Sequence, residues 1–260
     1  MNTNFLQANL NHCAAAQNLM IQAMAQWDVG VAVVAEPYRI PLSSSNWAGD
    51  SEGLVAIVTR PSAGIAPLQG IGRGRGCVAV SVGPWAVVGA YCSPNRSLSE
   101  FETFLAELGA LVRRAHPAPV LVAGDFNAKS ASWGSPATDA RGEALEDWLV
   151  ATGLVLLNRG TAQTCVRQRG GSIVDLTLAT PALASRVRDW RVLEGAETLS
   201  DHLYISFNIA PLQDRHARGE SRSPVAEVAS TWPPRTVLPQ SEQEFAFAGV
   251  SGNTLAEEHP

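Results

Sequence analysis

The sequence lacks several features that would assign it to a familiar class. Its four cysteines stand singly, without a C-x-x-C pair, so neither a zinc site nor a disulfide framework is indicated. Apolar runs such as 29–35 and 120–123 are far shorter than the roughly 20 residues that a membrane-spanning helix needs. The N-terminus shows no basic segment followed by an apolar stretch, as a secretory signal would. We therefore expect an intracellular protein without a membrane partner.

Lysine is almost absent, because Lys129 is the only lysine among 19 basic residues, and the formal net charge is −5. An acidic chain is a weak candidate for holding nucleic acid by bulk electrostatics. Arginine nevertheless suits phosphate, since its planar guanidinium can donate two parallel hydrogen bonds. The same bias could come from the nucleotide composition of the gene, so composition alone leaves a nucleic-acid partner open.

The chain contains 46% hydrophobic residues, enough to bury one large core. Up to residue 210, short apolar runs alternate with helical patterns, which is typical of an α/β or α+β domain. Three consecutive strands without helices between them imply antiparallel pairing and mixed sheets. We predict strands at 5–10, 29–36, 54–59, 77–82, 86–91, 120–123, 173–178, 188–193 and 204–209, and helices at 14–26, 99–115 and 140–151, with 54–59, 77–82 and 86–91 as the three consecutive strands.

Residues 211–260 differ in character from the rest of the chain. Pro, Ser, Arg and Glu dominate there, and no sustained periodicity returns. Such a composition is typical of segments that do not form a core. We therefore expect one domain over 1–210, followed by a flexible tail or linker over 211–260.

Two short patterns combine acidic and polar residues next to predicted strands. Gly124-Asp125-Phe126-Asn127 follows an apolar strand and presents a carboxylate and an amide at its C-terminal edge, where ligands bind in many α/β proteins. Ser200-Asp201-His202 precedes an alternating strand, and its Asp–His pair could donate to a phosphate or orient metal-bound groups. Both patterns are also common in ordinary turns, so neither decides the function alone.

Further polar side chains stand at the ends of other predicted strands. Glu36 ends an apolar strand and fits a Mg²⁺ ligand, because hard cations are held by one or two carboxylates with water and substrate phosphate. Asn9 and Asn11 are two residues apart in a predicted strand, so we expect them on the same face. Each could also be an exposed strand-end residue without a ligand.

Two more candidates lie in or beside apolar strands. Asp175 interrupts an otherwise apolar strand, where a buried carboxylate needs a partner, and His202 is the candidate for that partner. Tyr91 ends another strand with a phenol that could reach a phosphate, although a tyrosine of the core is an equal alternative.

Taken in order, these residues resemble the endonuclease/exonuclease/phosphatase superfamily. The amino-acid sequences of five segments are similar in particular to those of the apurinic/apyrimidinic-like endonuclease domain of insect-type non-LTR retrotransposons. The resemblance covers residues 4 to about 209 and implies a four-layer α/β sandwich, in which two packed mixed β-sheets are flanked by helices. The five segments are 6–13, 36–38, 124–130, 133–135 and 175–177.

The resemblance implies that Mg²⁺, with Mn²⁺ as a substitute, is held by Glu36 together with Asn9 and Asn11, with support from Asp201. In the related repair enzymes the position of Asn11 is an aspartate, so the metal site here has one charge fewer.

The resemblance also implies catalytic roles. Asp125, oriented by Asn127, would activate the attacking water. His202, held by Asp175, would stabilise the charge on the phosphate, which Tyr91 touches. This division suits phosphodiester hydrolysis, which needs a base, a metal and fixed donors to the phosphate.

The resemblance further implies that a hairpin over 166–172, just before the strand of Asp175, enters the minor groove of DNA. Arg167 and Arg169 flank Gln168 in this hairpin, and arginine in a minor groove reads groove width more than base identity. We expect Ser172 and Thr164 as further DNA contacts, while a plain exposed turn is the alternative for the hairpin. The basic loop Arg73-Gly74-Arg75 is a second, weaker candidate for binding DNA.

The function implied by the resemblance is nicking of one strand of double-stranded DNA in the nucleus, to prime target-primed reverse transcription of a retrotransposon. A reverse transcriptase domain is expected in the parent protein and is not part of this sequence. Two alternatives share the same motifs: a phosphatase or phospholipase acting on inositol phosphates or lipids, and a catalytically decayed copy that only binds DNA.

Overall fold

The computed structural model of the protein describes residues 2–41, 43–168 and 170–211. The predicted tail thus lies outside the described residues except for Pro211. The helices are α1 (Ala14–Gln26), α2 (Leu98–Arg114), α3 (Ala140–Thr152) and α4 (Pro181–Ala184), and the strands are β1 (Thr3–Asn9), β2 (Val31–Ala35), β3 (Trp47–Gly49), β4 (Val55–Thr59), β5 (Gln69–Gly74), β6 (Cys77–Val82), β7 (Trp85–Tyr91), β8 (Val120–Asp125), β9 (Val155–Leu156), β10 (Cys165–Arg167), β11 (Gly170–Ser172), β12 (Asp175–Ala179), β13 (Val187–Val192) and β14 (Ile205–Ile209).

Most strands belong to two six-stranded sheets. The first has the order β13-β14-β1-β2-β4-β3, and the second has the order β5-β6-β7-β8-β12-β9. Each contains one parallel pair, β1 with β2 and β7 with β8, and the other neighbours are antiparallel. Helices α1 and α2 connect the two parallel pairs, because a parallel connection needs a long crossover. The prediction of mixed sheets is confirmed.

The sheets and helices form four layers around three apolar clusters. One cluster fills the space between the sheets, with Phe5 and Val33 from the first sheet facing Val87 and Leu121 from the second. A second packs the outer face of the second sheet against α2, and a third packs the first sheet against α1. Strands buried on both faces read as continuous apolar runs, which is why the sequence shows them clearly. This is the α/β sandwich that the resemblance implies.

Helix α2 illustrates how local sequence fixes an element. Ser97 caps its first turn, and the side chain of Glu100 returns a bond to the backbone of Ser97, so that two otherwise unpaired N–H groups are satisfied. Apolar residues at three- and four-residue spacing bury one face against the second sheet. None of the helices in the described residues has the length and apolar character needed to cross a membrane.

Two predicted features of the sheets are wrong. Strand β4 does not pair with β6; it lies antiparallel to β2 in the other sheet, and only the pairing of β6 with β7 agrees with the prediction. The predicted basic loop Arg73-Gly74-Arg75 is instead the end of β5 and the turn into β6. The side chain of Arg75 is paired there with Glu52 at 2.9 Å, so its charge is already engaged.

A chain of buried polar side chains crosses the otherwise apolar space between the sheets. The amide nitrogen of Gln7 donates to the carbonyl oxygen of Gly124 at 3.1 Å. Its amide oxygen accepts a bond from the hydroxyl of Thr177 at 2.9 Å, and Thr177 accepts one from the indole of Trp190 at 3.0 Å. These hydrogen bonds join β1 of the first sheet to β8 and β12 of the second.

Candidate active site

The candidate site lies where the C-terminal ends of four strands meet at one end of the sandwich. Strands β1 and β8 end at Asn9 and Asp125, whose side chains are joined across the two sheets by a hydrogen bond of 3.0 Å. Glu36 and Tyr91 stand at the ends of β2 and β7, and the Tyr91 hydroxyl donates to Glu36 Oε1 at 2.6 Å. Tyr91 is the register neighbour of Asp125, which connects the two pairs.

Asp125 is the centre of the arrangement and is almost completely buried. Its Oδ2 accepts bonds from the side-chain amides of Asn9 at 3.0 Å and Asn127 at 2.9 Å, and its Oδ1 accepts the backbone N–H of Asn127. Burial, followed by the negative charge of Asp175, raises the pKa of Asp125 to about 8. A carboxylate with such a pKa is suited to accept a proton near neutral pH.

The Gly-Asp-x-Asn pattern has a steric reason at its first position. Gly124 lies directly against β7, where a Cβ atom would overlap the carbonyl oxygen of Ala90. Asn127 adopts φ 46°, a left-handed conformation that asparagine tolerates better than most residues. These two features turn the end of β8 so that Asn127 folds back onto Asp125.

His202 lies next to this carboxylate and is held from behind by Asp175. Its Nδ1 is 2.8 Å from Asp175 Oδ2, which confirms the predicted partner, and its Nε2 is 4.0 Å from Asp125 Oδ2. Burial by itself lowers the pKa of His202, but the charge and hydrogen bond of Asp175 outweigh it and raise the pKa to about 11. The imidazolium can therefore donate to an anion from Nε2.

Asp201 has a more exposed position at the edge of the site. One oxygen lies 3.9 Å from His202 Nε2, and the other accepts a 2.6 Å hydrogen bond from Arg167 Nε. Burial alone would raise the pKa of Asp201, but the bond from Arg167 and the charge of His202 lower it. Asp201 therefore stays ionised beside the histidine.

Glu36 is partly exposed and adopts φ 46°. Besides the Tyr91 hydroxyl, its Oε1 faces His12 Nε2 at 3.4 Å. Burial, and then the hydrogen bond to Glu36, raise the pKa of Tyr91, so the phenol stays protonated. Both neighbours face Oε1, and within the part of the chain that the structure describes Oε2 has no hydrogen-bond or ionic partner, so it could hold a metal ion.

The expectation that Asn9 and Asn11 share one strand face is wrong. Strand β1 ends at Asn9, and Asn11 adopts φ 48° in the following turn, where it is exposed. The backbone N–H of Asn11 donates to Asn9 Oδ1 at 2.9 Å. The two amides are thus neighbours through a turn rather than through the alternation of a strand.

The donor set of this end suits a hard divalent cation. Glu36 offers a carboxylate, and Asn9 Oδ1 keeps a second lone pair beside the bond from Asn11. Carboxylate and amide oxygens are ligands that Mg²⁺ prefers. Two further groups lie nearby, Asp125 with Asp175 and His202, and Cys165 with Asp201 and His202; each has its ligand atoms within 4.8 Å of one another and includes nitrogen or sulfur.

The predicted hairpin is present as β10 paired antiparallel with β11. It is tied to the site, because Val166 N donates to the Asp201 carbonyl at 2.7 Å and Leu203 N donates to the Thr164 carbonyl at 2.8 Å. Arg167 is largely exposed but points to Asp201, whereas Arg169 lies outside the described residues. Thus Arg167 is anchored to a site residue.

Ser172 and Thr164, the two further predicted DNA contacts, differ in burial. Ser172 is half-buried and lines a cavity of about 640 Å³ together with Arg167, Lys129 and Arg141. Thr164 is fully buried, and its hydroxyl accepts the backbone N–H groups of Val174 and Asp175, both at 3.1 Å. We correct its assignment accordingly: Thr164 supports Asp175 and has no surface for a DNA contact.

Three residues near the site were not predicted from the sequence. His12 faces Glu36, and Cys165 lies 3.8 Å from Asp201 through its sulfur atom. Arg141 donates to the backbone carbonyls of Asn127 at 3.3 Å and Ser93 at 3.0 Å, and so positions the turn that carries Asn127. No local pattern marks these residues, because their roles depend on contacts between distant segments.

A family described as Endonuclease-reverse transcriptase matches residues 85–206. The endonuclease domain of TRAS1, a telomere-specific non-LTR retrotransposon, is a similar solved structure, with 27% identity and a TM-score of 0.67. That similarity covers 80% of this chain and 98% of the TRAS1 domain. No curated protein matches the chain.

Two more distant structures share the fold. The 3′ phosphatase NExo from Neisseria, bound to a product DNA hairpin, has 19% identity and a TM-score of 0.63, over 80% of this chain and 99% of that one. An AP endonuclease from Archaeoglobus fulgidus has 17% identity and a TM-score of 0.61, with the same coverage.

Proposed function

We propose that the chain, which is similar to members of the endonuclease/exonuclease/phosphatase superfamily, is a metal-dependent endonuclease that nicks one strand of double-stranded DNA by hydrolysis. The observation that carries this proposal is the buried Asp125, oriented by two amides and placed beside a histidine that Asp175 holds. It supplies a proton acceptor and a cationic donor within one small space, which hydrolysis of a phosphodiester requires.

In the proposed reaction, Asp125 accepts the proton of the attacking water. Asn9 and Asn127 fix its carboxylate by their amide hydrogen bonds, so that little reorganisation accompanies the proton transfer. His202 donates from Nε2 to the phosphate, while Asp175 keeps the imidazole oriented through Nδ1. Tyr91 stays protonated and presents its hydroxyl next to Glu36.

Glu36, Asn9 and Asn11 would hold Mg²⁺, or Mn²⁺ in its place, with Asp201 supporting the site. When bound, the ion supplies a positive charge that stabilises the charge developing on the phosphate. Glu36 contributes the only carboxylate of the three principal ligands, so its charge dominates the affinity of this site.

The hairpin is our candidate for contact with DNA. Arg167 is exposed at the edge of the site, and the neighbouring cavity is lined by Lys129, Arg141 and Ser172. These groups give a positively charged and polar surface next to the carboxylates, although the chain as a whole is acidic. We retain Arg167, Arg169 and Ser172 as proposed DNA contacts.

The similarity to the TRAS1 endonuclease domain further supports a role in retrotransposition. We propose that the nick primes reverse transcription in the nucleus, with a reverse transcriptase domain supplied by the parent protein. The description of the matching family agrees with this association of the two activities.

The deciding experiment measures nicking of supercoiled plasmid by the purified chain, with Mg²⁺ and with a chelator. We expect conversion to open circles only with Mg²⁺, and no conversion by Asp125→Ala. Asp147→Ala, which removes an exposed aspartate of α3, is the matched control and should behave as the wild type. A folded wild-type protein that leaves the plasmid intact would refute the proposal and favour a phosphatase or an inactive copy.

The same assay on an end-labelled linear duplex tests the hairpin. Arg167→Ala should shift the positions of the nicks. Arg113→Ala, at the end of α2 remote from the site, should preserve them. Identical patterns for Arg167→Ala and the wild type would remove the hairpin from target choice.

A further inference from the structure

Cys165, Asp201 and His202 bring a thiol, a carboxylate and an imidazole to one point beside the proposed active site. Cys165 Sγ is 3.8 Å from Asp201 Oδ2, and Asp201 Oδ1 is 3.9 Å from His202 Nε2. All three ligand atoms lie within 4.8 Å of one another. The backbone fixes this approach, because Cys165 and His202 form an isolated antiparallel bridge.

The distances are close to those of a bound zinc ion. Tetrahedral ligands at about 2.0–2.3 Å from Zn²⁺ lie roughly 3.5 Å from each other, so small side-chain shifts would complete the site. Sulfur, nitrogen and carboxylate oxygen are the ligand atoms that Zn²⁺ takes in proteins, whereas Mg²⁺ avoids sulfur. Cys165, Asp201 and His202 therefore favour a different class of ion from the one proposed to bind at Glu36.

The surroundings of His202 also match a metal ligand. Its Nδ1 is bound by Asp175, so Nε2, which lies 3.9 Å from Asp201 Oδ1 and 4.0 Å from Asp125 Oδ2, is the nitrogen that remains for a metal. A carboxylate behind a histidine fixes the ring and increases its basicity in many zinc sites. Cys165 and Arg167 both line the cavity from which an ion would approach, and binding would replace the ion pair between Asp201 and the largely exposed Arg167.

We propose that Cys165, Asp201 and His202 bind a thiophilic divalent metal ion of the Zn²⁺ class, and that this ion inhibits the enzyme. Binding releases the protons of His202 Nε2 and of the Cys165 thiol to solvent, because both ligand atoms must be deprotonated. His202 thereby loses the donor that the phosphate requires, and the ion also engages Asp201. The inference that the ion binds does not rest on the proposed function, whereas the inference that it inhibits does.

Binding is tested with Co²⁺ as a spectroscopic probe of the full chain. Co²⁺ bound to a thiolate gives a sulfur-to-metal charge-transfer band in the near ultraviolet, which Zn²⁺ should abolish by displacement. The band should be lost in Cys165→Ser and in Cys165→Ala. It should persist in Cys13→Ser, which alters a more exposed thiol at the N-cap of α1.

Absence of the band from wild-type protein, or its persistence in both Cys165 variants, would overturn the site. Either result would leave the proposed function standing if the same protein nicks plasmid with Mg²⁺. Conversely, a thiolate band in a protein that never nicks DNA would support the metal site and refute the proposed function.

Inhibition is tested by titrating Zn²⁺ into the nicking assay at saturating Mg²⁺. Cys165→Ser should retain nicking and need at least about tenfold more Zn²⁺ for half inhibition, because a ligand of the inhibitory ion is lost. Cys13→Ser should be inhibited as the wild type is. Equal inhibition of the wild type and Cys165→Ser would overturn the regulatory part of the proposal.

Discussion

The units β1-α1-β2 and β7-α2-β8 are built alike, but their ends differ. Each is a parallel strand pair joined by a helix, and each ends its second strand near a carboxylate and a residue at φ 46°. In the first unit the carboxylate is Glu36, whose side chain is 18% exposed. In the second it is Asp125, whose side chain is 2% exposed.

This difference in exposure is enough to separate two chemical roles. Asp125 is desolvated and next to another carboxylate, which raises its pKa and favours proton transfer. Glu36 stays close to solvent, with one oxygen directed to a phenol and an imidazole. Two similar units thus supply a base and a metal ligand, because the carboxylate at one strand end is buried and the carboxylate at the other is partly exposed to solvent.

The largest effect should follow removal of the buried carboxylate. Asp125→Asn keeps the shape but abolishes the proton acceptor, so we expect single-turnover nicking to fall about 100- to 10,000-fold. Raising the Mg²⁺ concentration should not restore it. A rate within tenfold of the wild type would show that the second unit does not carry the base.

Neutralising the exposed carboxylate should have a different kind of effect. Glu36→Gln should raise the Mg²⁺ concentration for half-maximal nicking by about 10- to 100-fold, as a ligand charge is lost. High Mg²⁺ should recover most of the rate, in contrast with Asp125→Asn. Glu102→Gln on the exposed face of α2 is the matched control, and an unchanged Mg²⁺ requirement in Glu36→Gln would contradict the metal assignment.

The pH dependence of nicking separates the two carboxylates further. Burial, and then Asp175, raise the pKa of Asp125 to about 8. The deprotonated form of Asp125 is the active one, so the nicking rate should fall on the acid side of the pH–rate profile, by about tenfold per pH unit below the pKa. A bound cation favours the carboxylate, so a higher Mg²⁺ concentration should move this fall to lower pH. A fall at the same pH at every Mg²⁺ concentration would mean that another residue is the base.

The smallest effect is expected at the contact between the units. Tyr91→Phe removes one hydrogen bond to Glu36, which is worth about 1 kcal/mol or roughly fivefold in kcat/KM. Tyr38→Phe, with a tyrosine that is 61% exposed, is the control. A loss as large as that of Asp125→Asn would mean that Tyr91 takes a direct part in the reaction.

The fold was predictable where strands are buried on both faces. Segments such as 31–35 and 120–125 are continuous apolar runs, and their positions agree closely with the prediction. Strand β5 escaped prediction, because Gln69-Gly-Ile-Gly-Arg-Gly lies at a sheet edge and offers little apolar pattern. The assignment of strands to the two sheets could not be deduced either. Strands β4 and β6 are both apolar and no helix was predicted between them, yet they belong to different sheets.

The site was predictable for residues within strand-end motifs. Asp125, Asn127, Asp175 and His202 stand together as the resemblance implies, and their roles in the reaction stay predictions. Asn11 was misplaced because a left-handed turn interrupts the alternation on which its placement depended. Arg141 was not found, because its importance arises from backbone carbonyls far away in the sequence.

The polar chain through Gln7, Thr177 and Trp190 has a mechanical consequence. Apolar side chains attract one another without direction, so two sheets that touch only through them resist sliding weakly. Hydrogen bonds demand particular distances and angles, and the bond between Gln7 and Thr177 joins one sheet to the other. This hydrogen bond therefore fixes the position of one sheet relative to the other. Asn9 lies two residues beyond Gln7 on the same face of β1, and it inherits that alignment where it meets Asp125.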